Sequence, residues 1–347
     1  MGSVRTVKAV SVALLVLAVL SSNSRAQSLP ISLFERYLDS LRQQAGIPGL
    51  SGAIVQEGRV IWEGGFGYQD VASLTRATPD TPYPILDLSQ TISSTLLLQQ
   101  CFDQRYLELS DRVRRWIPGY PEQNTTVSDL LSHAGSDRGF RYDANRYANL
   151  TTVIEQCTSE RYPVLLSEEI LDRLAMRDTV PGHDLADGSL NRRFFSSDAL
   201  DRYTSVLRRV AVPYKVDSRG QPSRSEYSRA SLSASTGVVS TVRDLADFDI
   251  NIGHLLATDT RLRAWETYGS MPTGLGWFVQ NYNGQRVVWH FGLARDAYSA
   301  LYIKVPARDI ALILLANSDA LAAPYNLADG NLTSSLFAQL FLKLFVS

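Results

Sequence analysis

The sequence predicts a mixed α/β fold of the α+β kind, with one sheet assembled from both ends of the chain and a helical region inserted between its two contributions. Three observations predict it. β-rich runs broken by short turns occupy residues 50–70 and return at 275–317. Helical patterns dominate from about Asp87 to Asp201. A helix-spaced segment stands before the first strands and another closes the chain.

The elements follow in order. In MGSVRTVKAVSVALLVLAVLSSNSRAQS, Arg5 and Lys8 precede a short apolar run, and Ser24-Arg25-Ala26 ends it with small residues at cleavage-type positions. Residues 1–26 read as a secretory signal peptide, which leaves 27–347 as the mature chain and makes the expected location secreted or periplasmic. The alternative, a membrane anchor, is poorly served by Ala9 to Leu20, a run far shorter than the roughly 20 apolar residues a spanning helix needs. No later segment is long and apolar enough, so no membrane span is expected after signal removal. LPISLFERYLDSLRQQAGIPG then gives one helix stopped by Gly46 and Pro48. LSGAIVQEGRVIWEGGFGYQD gives two strands turned at Glu57-Gly58. The helical region about 87–236 includes a loop-rich piece, 211–236, and leads into the helix of VVSTVRDLADFDINIGHLL. Strands return in LGWFVQNYNGQRVVWHFG and AYSALYIKVPARDIALILLAN, which turn at Asn283-Gly284 and at Pro306–Asp309, and NLTSSLFAQLFLKLF closes as an amphipathic helix. The sheet part is thus about 27–86 plus 237–347.

With 45% hydrophobic and 20% charged residues the composition is that of an ordinary globular protein. The formal net charge is −1, and removal of residues 1–26 takes away Arg5, Lys8 and Arg25 and no acid, which makes it −4. Nothing in that balance attracts nucleic acid. His133, His183, His254 and His290 lie far apart and no C-x-x-C occurs, so neither a metal nor a cofactor is expected. Cys101 and Cys157 are either joined, as the exported setting permits, or two buried free thiols.

Four segments carry a resemblance. They are IPGLSGAIVQEGRVIWEGGFGYQDVASLTRATPDTPYPI, YLELSDRVRRWIPGYPEQNTTVSDLLSHAGS, STGVVSTVRDLADF, and TGLGWFV followed by WHFG. In this order over some 300 residues the chain resembles the serine β-lactamase and DD-peptidase superfamily, which includes the penicillin-binding-protein-like enzymes. The likeness is strongest to its class C β-lactamases and its esterases. The resemblance implies an antiparallel sheet flanked by the N- and C-terminal helices, an inserted all-helical domain, and a reaction site in the cleft between them. It also implies that the helices carrying Cys101 and Cys157 are neighbours, which supports the bridge.

The family's chemistry uses a Ser at the start of a helix as nucleophile and a Lys three positions later, one turn away on the same face, to help take its proton. Asp87 stands in the Ser place and Gln90 in the Lys place. No other Ser-x-x-Lys exists: Arg5, Val212, Leu301 and Leu340 stand three before the four lysines. The second motif, Tyr-x-Asn, matches Tyr142-Asp143-Ala144, which keeps the Tyr; a one-residue shift would use Asn145 instead. His290-Phe291-Gly292 fits the His-x-Gly form of the third motif and makes the Leu293 N–H an oxyanion donor.

Two readings of Asp87 and Gln90 follow. In one they form a capping box, Asp accepting a first-turn N–H and Gln reaching back to the cap. In the other Asp87 is still a nucleophile. A carboxylate at a helix start is stabilised as the anion, and neutral Gln90 cannot take a proton, which weakens the second reading. Tyr142 and His290 are read as cleft residues, against an ordinary buried Tyr and strand His. Gly292, Leu293 and Arg295 are the candidate ligand contacts, Arg295 through a ligand carboxylate or else simply solvated. The sequence therefore leads to an exported, catalytically degenerate relative whose cleft binds a small acyl or peptide ligand. The competing expectation is an active hydrolase with a rearranged site.

Overall fold

The computed structural model describes residues 29–137 and 139–347; the expected signal peptide lies outside the described residues. Helix α1 covers 29–44 and buries Phe34 and Leu38. The chain then reverses at Gly46, whose φ of +67° is one that glycine adopts without penalty.

A seven-stranded antiparallel sheet follows from β1 (Gly49–Gln56), β2 (Arg59–Asp70), β3 (Thr75–Arg76), and, after the helical region, four late strands. A short strand β4 (Tyr83–Pro84) lies outside it. Helices α2 (Ser89–Leu97), α3 (Val127–Leu131), α4 (Ala144–Tyr147), α5 (Leu150–Thr158), α6 (Tyr162–Leu165) and α7 (Ser197–Leu207) come next. The small hairpin β5 (Tyr214–Val216) and β6 (Pro222–Arg224), the strand β7 (Val239–Ser240), and helices α8 (Val242–Leu255) and α9 (Thr258–Ala264) lead to β8 (Phe278–Tyr282), β9 (Gln285–Ala294), β10 (Tyr298–Val305) and β11 (Ile310–Ala316). Helix α10 (Leu336–Phe345) ends the fold.

The order β3-β2-β1-β11-β10-β9-β8 seats the last strand against the first, with Ile54 opposite Leu312. Burial on both faces explains the unbroken apolar run of β11. Ile54, Leu301, Leu312 and Leu314 face α1 and Phe337 and Phe341 of α10, while Ala53, Tyr302, Ile313 and Leu315 face α8 and the helical region. Both two-residue turns have positive φ at each position, Glu57 and Gly58 at 51° and 69°, Asn283 and Gly284 at 48° and 76°. This twist suits a tight hairpin.

The chain leaves and re-enters the sheet part at β4 and β7, which pair with each other. Between them the region is not purely helical. The loop-rich piece holds β5 and β6, turned by Asp217, whose carboxylate accepts the N–H groups of Arg219 and Gln221 at 2.8 Å each. Helix α2 is buried along its whole length and runs on through a wider turn, Leu98–Phe102. Cys101 in that turn is joined by a disulfide to Cys157 of α5, with a Cα–Cα distance of 6.1 Å. Among the described residues no helix is long and apolar enough to cross a membrane.

Candidate active site

Asp87 sits in a tight turn, Leu86–Leu88, that feeds directly into α2. Two contacts set the turn's place. The Ile85 N–H donates to the Val238 carbonyl at 3.0 Å, and β9 crosses so closely that a Cβ on Gly292 would meet the Ile85 carbonyl oxygen at 2.3 Å. The third-motif glycine is therefore required by backbone approach. Leu86 adopts φ +57°, a left-handed conformation that costs a branched residue roughly 1–2 kcal/mol and is held here by its burial.

The capping box is not formed. Ile85 and Leu88, which precede the two helical segments, have helical rather than extended backbone, and neither makes a side-chain cap bond. The Asp87 carboxyl turns instead toward β9, where it is stabilised by the Leu293 N–H, by its own N–H and by the Tyr142 hydroxyl. Of these donors, the Leu293 N–H is the one that the family resemblance assigned to an oxyanion. Desolvation outweighs all three and pushes the carboxyl up to about 6. Asp87 as a residue keeps some exposed surface, but protein surrounds the carboxyl, and its environment is governed by that enclosure.

Gln90, fully buried, is the hub of the site. Its Nε2 donates to the Tyr142 hydroxyl at 3.2 Å, and its Oε1 lies 2.9 Å from His133 Nε2 and 3.3 Å from His290 Nε2. Backbone groups set the direction. The Asp143 N–H donates to His133 Nδ1 at 3.2 Å, and the Phe291 N–H to His290 Nδ1 at 2.9 Å. A ring accepting at Nδ1 carries its proton on Nε2, so both imidazoles donate to the Gln90 oxygen. The Phe291 carbonyl also lies 2.8 Å from His290 Nδ1, yet a proton there would leave Nε2 and Oε1 facing each other as two acceptors. Burial pulls His290 down to about 4 and holds His133 well below its ordinary value, helped there by the nearby His290 ring and Arg146. At neutral pH the chain His133 and His290 to Gln90 to Tyr142 to Asp87 is uncharged except at its end.

His133 is the residue that the sequence reading missed. It lies in the quoted SHAGS segment, but nothing in its spacing from Gln90 or His290 signals contact. Its ring packs on Tyr142 at 4.4 Å and on Tyr147 at 5.2 Å. Tyr142 also stands 5.4 Å from the Phe291 ring and 6.4 Å from His290, and burial and the Asp87 charge hold its hydroxyl well above its ordinary value.

The remaining candidates separate. Leu293 is partly exposed beside Asp87. Arg295 is exposed and makes no ion pair among the described residues, so it is a solvated arginine here. Asn145 is exposed on α4 and bonds to none of the site residues, while Asp143 caps that helix by accepting the Arg146 N–H at 2.9 Å. A cavity of about 640 Å³ is lined by Glu122, Thr126, Asp129, Gly135, Tyr268 and Met271 and includes none of Asp87, Gln90, Tyr142 or His290. Among the described residues no group of His, Cys, Asp and Glu could hold a metal.

A sheet built from both termini, a buried helix carrying the first motif and a third-motif strand crossing its start define a serine-hydrolase architecture of the penicillin-recognising type. The chain belongs to the beta-lactamase family, whose model matches residues 34–334. It is similar to Protein flp of Staphylococcus aureus strain MW2, with 26% identity over 177 residues that cover 40% of this chain and 35% of flp. The chain thus spans about a third of that relative. In structure it is similar to the octameric penicillin-binding protein homologue from Pyrococcus abyssi (TM-score 0.73, 18% identity, 90% of this chain and 77% of that one). It is similar also to the D-amino acid amidase from Ochrobactrum anthropi SV3 (TM-score 0.70, 18% identity, 91% and 98%).

Proposed function

We propose that this protein is an exported, catalytically degenerate member of its family that uses the inherited cleft to bind a ligand, with the secreted or periplasmic location following from residues 1–26. The observation that carries the reading is the bonding of Gln90. Its oxygen accepts from both imidazoles and its amide nitrogen donates to Tyr142, so no group in the Lys place can take a proton. A second feature supports it. The donors suited to an oxyanion already face the Asp87 carboxylate, and a substrate carbonyl would have to displace an anion to reach them.

One observation favours a second reading. A carboxyl raised to about 6 lies near the pH at which a general base works well, and a water activated by Asp87 would make a slow hydrolase. Steady-state assays with a short-chain nitrophenyl ester and a chromogenic cephalosporin separate the two. The binding-only reading expects no turnover above the buffer rate, and Asp87→Ala unchanged. Turnover that Asp87→Ala removes would establish the hydrolase.

A further inference from the structure

The cavity of about 640 Å³ begins one residue beyond His133, between the loops 134–136 and 268–271. Its volume lies within the ordinary range for small-molecule sites, about 300–1,000 Å³. Its walls are held by bonds of their own. The Tyr268 hydroxyl donates to Asp129 Oδ1 at 3.1 Å and accepts from the Ser128 hydroxyl at 3.2 Å. Thr126 donates to Asp129 Oδ2 through its N–H at 2.8 Å and its hydroxyl at 2.7 Å, so both oxygens of that carboxylate are engaged within the wall. Glu122, the other acid there, is paired with Arg146 at 2.8 Å. Main-chain groups are likewise taken. The Gly135 N–H donates to the Gly139 carbonyl at 2.7 Å, the Tyr268 N–H to the Thr273 carbonyl at 2.7 Å and the Met271 N–H to the Tyr268 carbonyl at 3.1 Å, while the Ala134 carbonyl accepts from Arg146 at 2.6 Å. The groups left for a ligand are exposed side chains. Among the described residues, those of Gln123, Asn124, Ser136 and Ser270 line the cavity and bond to no protein group, and no lysine or arginine lines it.

We infer that this cavity is a second binding site, for a short neutral oligosaccharide seated on Tyr268 and Met271 with its hydroxyls on Gln123, Asn124, Ser136 and Ser270. The class follows from what the walls offer. Free amides and hydroxyls both donate and accept, as sugar hydroxyls do. An anion would find no cationic partner on the wall and would meet Glu122 and Asp129 as like charges. A cation would find both carboxylates already engaged. An extended peptide needs open main-chain donors and acceptors to pair with, and the main-chain groups named above are bonded within the protein. Tyr268, Met271 and Ala134 supply an apolar surface that suits the C–H face of a sugar ring, with the tyrosine hydroxyl held at its far end by Asp129 and Ser128. The site shares no lining residue with the Asp87 cleft and does not depend on how Asp87 is read.

The experiment is isothermal titration of the full chain near neutral pH with maltotriose, cellotriose and the N-acetylglucosamine trimer as neutral probes. The charged controls are trigalacturonate and the glucosamine trimer, and the peptide control is N-acetyl-trialanine amide. The expected result is that a neutral trimer binds the wild-type protein with a Kd of about 1 mM or tighter, and at least about tenfold more tightly than every control. Ser270→Trp, at an exposed position of the wall, should fill the space and abolish that binding with an unchanged melting temperature, and Tyr268→Ala should weaken it by about tenfold or more. The comparison among probes uses only wild-type protein and holds even if a variant folds poorly. No binding of any neutral trimer, a control that binds as tightly as the best of them, or binding that survives in folded Ser270→Trp would overturn the inference. None of these outcomes bears on turnover at Asp87, so this inference and the proposed function fail separately.

Discussion

At the scale of single residues, the enclosed Asp87 charge is a cost to the fold. Its folded-state pKa of about 6 lies above the ordinary value of 3.8, so the native state holds the proton more tightly than the unfolded chain. Stability attributable to this group is lost as pH rises through 6 and recovered as pH falls toward 3.8. His290 runs the other way: with its pKa lowered from 6.5 to about 4, acidification across that window protonates the unfolded chain first and costs stability. The two oppose each other in the wild-type protein. Asp87→Asn removes one of them and should be more stable than wild type by about 1–3 kcal/mol near neutral pH, with the advantage fading by about pH 4. Urea unfolding across that range measures it; a difference that does not change with pH would contradict the account. For Gln90, replacement by Met keeps the volume but strands two imidazole N–H groups, so a loss of about 2–4 kcal/mol is expected in the same assay. The substitutions at 87 and 90 were legible in the sequence because motif order marked their places. Their bonding was not. Spacing of three residues fits a capping box and a catalytic pair alike, and only the crossing of β9 and the helical backbone before each segment decide that Asp87 turns to Leu293. His133 stayed hidden because the Gln90 oxygen it meets is 43 positions away in the chain, a tertiary contact that periodicity cannot express.

At the scale of elements, the site depends on how closely β9 approaches the Leu86–Leu88 turn. Gly292→Ala would place a Cβ 2.3 Å from the Ile85 carbonyl oxygen, a backbone atom that cannot swing aside. The strand or the turn must shift, and a destabilisation of about 1–3 kcal/mol is expected, read as a fall in the denaturant midpoint. The same variant should also weaken the contact between Asp87 and the Leu293 N–H, which favours the carboxylate, so the carboxyl is held further above its ordinary value and the Asp87-dependent pH profile should steepen. A midpoint within error of wild type would show that the approach is looser than described. The tight hairpins were legible because Glu57-Gly58 and Asn283-Gly284 have turn chemistry with one geometric solution. The β5 and β6 hairpin was not, since Tyr214–Val216 and Pro222–Arg224 are only three residues each and largely polar, and their pairing rests on the Asp217 turn rather than on apolar alternation.

At the scale of the whole molecule, the chain closes on itself twice: β11 pairs with β1, and β4 with β7 brackets the helical region. The first closure was legible, because apolar runs at both ends with no partner of their own imply a shared sheet. The disulfide ties the helical region internally, joining positions 56 residues apart. Closing a loop of that length restricts the unfolded chain by about 4 kcal/mol in the chain-entropy account. The double variant Cys101→Ser, Cys157→Ser should lose up to that much, and reductant should lower the wild-type melting temperature but not the variant's. An equal effect of reductant on both would contradict this. The central claim is that a neutral Gln90 beside two neutral imidazoles leaves no means of generating an acylating nucleophile at Asp87. Intact-protein mass spectrometry after prolonged incubation with a penicillin tests it most directly. The account predicts an unchanged mass; a stable mass increase mapped to Asp87 would contradict it.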